Sequence, residues 1–256
     1  MNILDKIILD KKIEIKYKKQ ETPISSLPFI YEASPCFLNA LKKRPIGFIA
    51  ELKKKSPSAG ILRDPYDPVS ILKSYEKNGA TAISCLIDNL YFGGSDEIFK
   101  CLRNETALPM LYKEFVIDEW QIAHAKSLGA SGILLIAAVL DQEKMSELMH
   151  CSKKYGLTPL VEIHNEKEAD IAIKLGADCI GINNRDLKSF ETSIDVTFNI
   201  FKNIPDHVTV VSESGIKTSN DVERLEEIGV DAILVGETLL KDKDPGLAIL
   251  DLLAKL

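Results

Sequence analysis

Four times the chain repeats one short phrase. Asn78-Gly79-Ala80-Thr81-Ala82-Ile83, Leu128-Gly129-Ala130-Ser131-Gly132-Ile133, Leu175-Gly176-Ala177-Asp178-Cys179-Ile180 and Ile228-Gly229-Val230-Asp231-Ala232-Ile233 follow a single pattern. A glycine stands where a helix should stop, a small residue follows, and an apolar run begins. Glycine takes the left-handed conformation of a helix C-terminal cap at little cost. The copies recur about every 50 residues, the length of two strand–helix units. Four copies in phase favour a closed ring of eight units over an open doubly wound sheet.

The apolar runs agree with this. Residues 47–52, 81–86, 108–112, 132–137, 158–163, 179–183, 208–212 and 232–236 read as strands. Near-continuous apolar runs suit parallel strands covered on both faces. The intervening segments read as helices. Asp118 with Gln121, Asn165 with Glu168 and Thr218 with Asp221 resemble capping boxes. Asp244-Pro245 reads as an N-cap followed by proline at the first helical position. The expected class is α/β, a (βα)8 TIM barrel with an N-terminal helical extension. The 256 residues then form one domain: an extension over 1–45 and a barrel over 46–256. In the extension, Leu4, Ile7, Ile8 and Ile15 share one helical face.

Composition narrows the function. With 32 Lys+Arg against 38 Asp+Glu, the net charge is −6. Nucleic acid as the main partner would need a basic face, so none is expected. A small phosphorylated substrate needs only a local site and stays open. The five cysteines, Cys36, Cys85, Cys101, Cys151 and Cys179, are scattered and form no C-x-x-C pair, which fits unpaired thiols in a reducing compartment. There is no run of 18 apolar residues and no apolar leader at the start, so neither a membrane span nor a signal peptide is expected. The expectation is a cytoplasmic monomer.

In such a barrel the chemistry sits at the C-terminal ends of the strands. The polar residues there are Glu51 and Lys53, Asp88, Lys113, Glu162, Asn183 with Asn184 and Arg185, Glu213-Ser214-Gly215, and Gly236-Glu237. Ionisable groups at the end of an apolar strand must pair or serve a ligand, because burying them alone is costly. The Ser-Gly and Gly-Glu pairs after the last two strands suit backbone binding of a phosphate. The histidines, His124, His150, His164 and His207, make no metal set, and no metal site is expected. No Walker A or G-x-G-x-x-G occurs. These residues leave open an enzyme of a phosphorylated substrate, such as an isomerase or a Schiff-base enzyme of the same barrel type, and a non-catalytic barrel that binds a phosphorylated ligand or a partner protein.

The run Ile49-Ala50-Glu51-Leu52-Lys53-Lys54-Lys55-Ser56-Pro57-Ser58 resembles the first-strand signature of the indole-3-glycerol-phosphate synthase family. So do Leu111-Tyr112-Lys113-Glu114-Phe115, Leu160-Val161-Glu162-Ile163-His164, Gly181-Ile182-Asn183-Asn184-Arg185-Asp186-Leu187, Ser212-Glu213-Ser214-Gly215-Ile216 and Val235-Gly236-Glu237. Two positions depart from the family pattern, Ile87 and Tyr112.

The resemblance implies a cofactor-free reaction. In 1-(2-carboxyphenylamino)-1-deoxyribulose 5-phosphate, the ring carbon bearing the carboxylate attacks the ketose carbonyl, then CO2 and water leave. It also implies the roles. Lys113 is the general acid and Glu162 the base for dehydration. Lys53 lies near the phosphate with Glu51 as its partner, and is a candidate second acid. Asn183 orients the reacting groups and Arg185 pairs with the substrate carboxylate. Glu213 and Ser214 line the seventh-strand site, and Gly215, Gly236 and Glu237 meet the phosphate. Phe92 and Pro57 lie against the aromatic ring, and Ser56 is a further substrate-binding residue.

Overall fold

A computed structural model of the chain describes residues 3–28, 35–186 and 189–256. Leu187 of the sixth-strand motif and part of the expected extension lie outside them.

Eight parallel strands close into a barrel: β1 (Gly47–Leu52), β2 (Ala82–Leu86), β3 (Met110–Lys113), β4 (Gly132–Ile136), β5 (Thr158–Ile163), β6 (Cys179–Asn183), β7 (Thr209–Glu213) and β8 (Ala232–Val235). Each pairs with its sequence neighbours, and β8 closes on β1 through the register Gly47 with Ala232 to Ala50 with Val235. The glycine of each repeated phrase ends a helix at positive φ: Gly79 at 105°, Gly129 at 86°, Gly176 at 76° and Gly229 at 93°.

Five expected strands shift at an end by one or two residues. Two shifts matter for the site. Lys113 and Glu213 lie inside β3 and β7, so the strand pleat fixes the direction of their side chains. The loop after β1 folds as a small hairpin, Lys55–Ser56 against Gly60–Ile61. Its arms are too short to register as apolar alternation.

The barrel interior is filled by Ile49, Ala82, Leu111, Leu134, Leu160, Cys179, Val211, Ala232 and their neighbours. Helix α2 (Phe37–Leu41) plugs its N-terminal end, and Phe37 and Leu41 join that cluster. Gly47 and Gly132 permit this close approach. A Cβ on Gly47 would lie 2.4 Å from Leu41 O, and one on Gly132 3.1 Å from the Phe37 ring. The outer layer, between strands and helices, is a larger apolar shell.

Both departures from the family pattern lie in that shell. Ile87 is buried in it. Tyr112 is buried with its hydroxyl donating to Asp96 Oδ1 at 3.1 Å and its ring edge-on to Phe99.

Two helix starts form full capping boxes, at Asp118 with Gln121 and at Thr218 with Asp221. Two readings need correction. Glu168 does not reach back to the Asn165 backbone; its carboxylate takes the His164 N–H instead, at 2.8 Å. The last helix starts at Leu247, two residues beyond Pro245. Asp244 still accepts from the N–H groups of Gly246 and Leu247, so it caps the turn before the helix.

Candidate active site

The odd-numbered strands each turn one ionisable side chain into the barrel near its C-terminal end. These are Glu51 from β1, Lys113 from β3, Glu162 from β5 and Glu213 from β7. Alternate strands fill such a barrel in layers of four, usually with branched apolar residues. Here one such layer is a single ammonium among three carboxylates. Lys113 Nζ lies 2.5 Å from Glu213 Oε2, 3.6 Å from Glu162 Oε2 and 3.9 Å from Glu51 Oε2. Lys53 adds a second ammonium, 2.6 Å from Glu51 Oε1.

Burial and charge compete in this layer. Burial favours a neutral Lys113, but the carboxylates of Glu213, Glu162 and Glu51 outweigh it and hold its pKa above the usual lysine range. Burial pushes Glu51 up, yet Lys53 and Lys113 outweigh it and hold the carboxyl below its ordinary value. Glu213 goes the other way. Burial dominates, Glu162 adds like charge, and the attraction of Lys113 leaves it still raised.

Two glycines make room for these carboxylates. A Cβ on Gly181 would lie 2.1 Å from Glu213 Oε1, and one on Gly236 2.6 Å from Glu51 Oε1. Gly181→Ala should therefore push Glu213 off Lys113. The expected cost is about 1–3 kcal/mol of stability with a loss of turnover, read from urea unfolding and steady-state rates. A variant with normal stability and rate would show that the layer tolerates displacement.

Above the layer opens a cleft of about 1220 Å³ including its mouth. Glu51, Lys53, Ser56, Pro57, Phe92, Lys113, Glu162, Asn183, Arg185, Ser214, Gly215, Gly236 and Glu237 all line it. Glu213 does not. It lies beneath, its side chain only 1% exposed, and it reaches the cleft through Lys113. Leu86, Leu134, Ile136 and Leu234 supply apolar wall, and Phe92 faces Phe115 across 6.1 Å between ring centroids.

Asn184 clamps the rim from below. It is 1% exposed and donates to Ser212 Oγ and to the Ser214 carbonyl, while its own oxygen accepts from Thr197. Ser214 is held at φ 66°, a left-handed conformation uncommon for a residue other than glycine, and Gly215 follows at 77°. Strain of this kind persists where the surroundings fix it, and the Asn184 clamp does so here. Arg185 pairs with Glu237 at 3.1 Å and donates to the Phe190 carbonyl at 3.3 Å. Glu237 also holds Lys241 at 2.6 Å.

One contributor escaped the sequence reading. Helix α1 (Ile3–Glu21) lies over the mouth, and Ile3, Leu4 and Ile7 line the cleft. Its buried seam is Ile7, Lys11 and Ile15, not the purely apolar face expected. Lys11 reaches Glu114 at 2.9 Å, Asp88 at 3.1 Å and Glu14 at 2.7 Å. The available signal was a lysine at the middle of an apolar i, i+4, i+8 row.

Solved barrels share this fold at low sequence identity. Thiamine phosphate pyrophosphorylase from Pyrococcus furiosus superposes with a TM-score of 0.62 at 20% identity, covering 85% of this chain and 96% of its own. A mutant tryptophan synthase α-subunit from the same organism gives 0.61 at 14% identity, over 81% and 98%. Sequence relatives are nearer. An indole-3-glycerol phosphate synthase of Thermoanaerobacter pseudethanolicus is 44% identical over 241 residues, 93% of this chain and 92% of the relative. One from Caldanaerobacter subterraneus is 44% identical over 242 residues, 93% of each. The model of the indole-3-glycerol phosphate synthase family matches residues 4–252. On that match and those identities, the chain belongs to the indole-3-glycerol phosphate synthase family, carbon–carbon lyases of tryptophan biosynthesis that release CO2.

Proposed function

We propose that this cleft closes the ring of 1-(2-carboxyphenylamino)-1-deoxyribulose 5-phosphate, with loss of CO2 and water, to give indole-3-glycerol phosphate. The observation that carries the reading is Lys113, an ammonium with 13% of its side chain exposed, facing an apolar-walled cleft and ringed by three carboxylates. A lysine kept protonated by neighbours is a ready donor to a carbonyl oxygen that gains charge as the ring closes.

The remaining roles follow from position. Glu162, 3.6 Å from the Lys113 ammonium, takes a proton during dehydration. Lys53 and Glu51 serve the leaving hydroxyl and the phosphate end. Asn183 orients the reacting atoms. The backbone at Gly215 and Gly236, beside Ser214 and Glu237, receives the phosphate. Arg185 exchanges Glu237 for the substrate carboxylate, a cheap trade for a half-exposed ion pair. Phe92, Pro57 and Ser56 hold the aromatic ring, with Phe115 behind Phe92. Folding a flexible chain so that its reacting carbons meet is itself a large part of such catalysis.

The same reading has the enzyme act without a cofactor, as a cytoplasmic monomer whose extension (1–45) and barrel (46–256) form one working domain. The test is direct: purified protein with this substrate should develop indole fluorescence. Folded protein that gives none would reject the reading.

A further inference from the structure

The reaction just proposed, on which this inference rests, does not balance in protons within the site. Closure takes one proton onto the carbonyl oxygen. Dehydration takes a second as the hydroxyl leaves as water. The substrate returns only one, to Glu162. The missing proton is the one that an ionised carboxylate lacks when it departs as CO2. Each turnover therefore draws one proton from solution into a layer that is nearly sealed. Glu162 is 5% exposed, and the substrate occupies the cleft above it.

A second cleft lies behind the rim. His164, Glu191 and Ser193 line it, and Asn183 and Arg185 form the wall it shares with the main cleft. His164 Nε2 is 3.5 Å from Glu162 Oε1, and its Nδ1 is 3.3 Å from Glu168 Oε2. Side-chain exposure rises along this row, from 5% at Glu162 to 12% at His164 and 19% at Glu168. Glu168 is itself fixed by the His164 N–H and by Asn165 Nδ2, at 2.8 and 2.7 Å. Among the described residues, His164 Nε2 is buried and forms no hydrogen bond at rest, which leaves it aimed at Glu162 Oε1.

We propose that His164 is the port through which the consumed proton enters, passing it from the second cleft to Glu162 and thence to Lys113. The His164 Nε2–H bond breaks as a Glu162 O–H bond forms. That O–H then breaks as the Lys113 amine, left neutral by its donation to the substrate, regains its third hydrogen. The ring is left neutral with its hydrogen on Nδ1, facing Glu168; a flip about Cβ–Cγ turns the bare Nε2 to the second cleft, where it takes a proton from solvent, and the return flip reloads the relay. The charged groups around the ring favour its loaded form. Burial pulls its pKa down, but Glu168 on the next helix, Glu162 on β5 and Glu213 on β7 outweigh it and raise it. Lys113 faces Glu162 from β3, and Arg185, Asp186 and Glu191 edge the second cleft.

His164→Gln and His164→Asn test this. Gln can still reach Glu162 and Asn can still hold Glu168, but neither carries a proton. Both should lose at least about tenfold in kcat with KM within about twofold of the parent. At fixed pH, added imidazole should restore the rate in proportion to its concentration, while the parent enzyme stays indifferent to it. Normal kcat in folded His164→Gln, or a loss that imidazole leaves unrelieved, would overturn the port. Glu162→Gln separates the two ideas. If it turns over normally, the role given to Glu162 fails; if it is inactive while the His164 variants are normal, only the port fails.

Discussion

Replacing Lys113 by methionine should reduce indole formation by at least about a thousandfold and make the stability of the barrel strongly pH-dependent. Methionine keeps most of the side-chain volume, so the interior stays filled. What disappears is, among the described residues, the one cation within 4 Å of all three interior carboxylates. Glu213 is already held up by burial and rises further without Lys113, while Glu51 loses one of the two cations that hold it down. A carboxyl whose folded pKa lies above its unfolded value stabilises the fold at low pH and ceases to do so as pH climbs through the folded value. The variant should thus be near parental stability at about pH 5 and clearly weaker at about pH 8, as read from urea midpoints. Lys113→Arg separates charge from chemistry. Arginine restores a permanent cation but does not give up its proton. It should recover stability at high pH and leave turnover lost. An arginine variant with substantial turnover would mean that Lys113 acts by charge alone.

The sequence announced this layer only in part. Parallel strands read as apolar runs, so Glu51 and Glu162 inside them stand out as costly exceptions. Lys113 and Glu213 stand at strand ends, where sequence patterning is least sharp. Their entry into the barrel depends on one residue of pleat that the backbone alone decides. The repeated glycine phrase was legible because helix termination needs positive φ, which is a local demand. What was not legible is non-local. The Asn184 clamp on Ser214 joins residues 30 apart. The carboxylate of Glu168 went to the backbone N–H and ring of His164, which the turn after β5 brings over the helix start. The Lys11 contacts join α1 to the loops after β2 and β3, and no periodicity within α1 specifies which carboxylates a lysine will find.

Those contacts make Lys11 the residue through which the extension acts on the site. Its ammonium is 2% exposed and lies between Asp88 and Glu114, at 4% and 3%. Asp88 caps the short helix that carries Phe92, accepting from Tyr91 N–H at 2.7 Å. Glu114 follows Lys113 and accepts from Phe115 N–H at 2.7 Å. One lysine thus ties α1 to both aromatic residues that face each other in the cleft. Lys11→Met should leave two buried carboxyls without their shared cation, a change that typically costs about 3–5 kcal/mol. Burial pushes Glu114 up to about 7 even with Lys11 opposing it. The methionine variant raises it further, so protonation can relieve the defect at low pH. The deficit relative to the parent should therefore be smallest at about pH 5 and grow as pH rises past the Glu114 value. Lys11→Met with Glu114→Gln should recover part of the stability at high pH, because the unpaired charge is gone. In kinetics the loss should fall on KM more than on kcat. The helix that lines the mouth with Ile3, Leu4 and Ile7 is loosened, while Lys113 and its carboxylates stay in place. A Lys11→Met protein with parental KM and a pH-independent stability deficit would place the extension outside the working site.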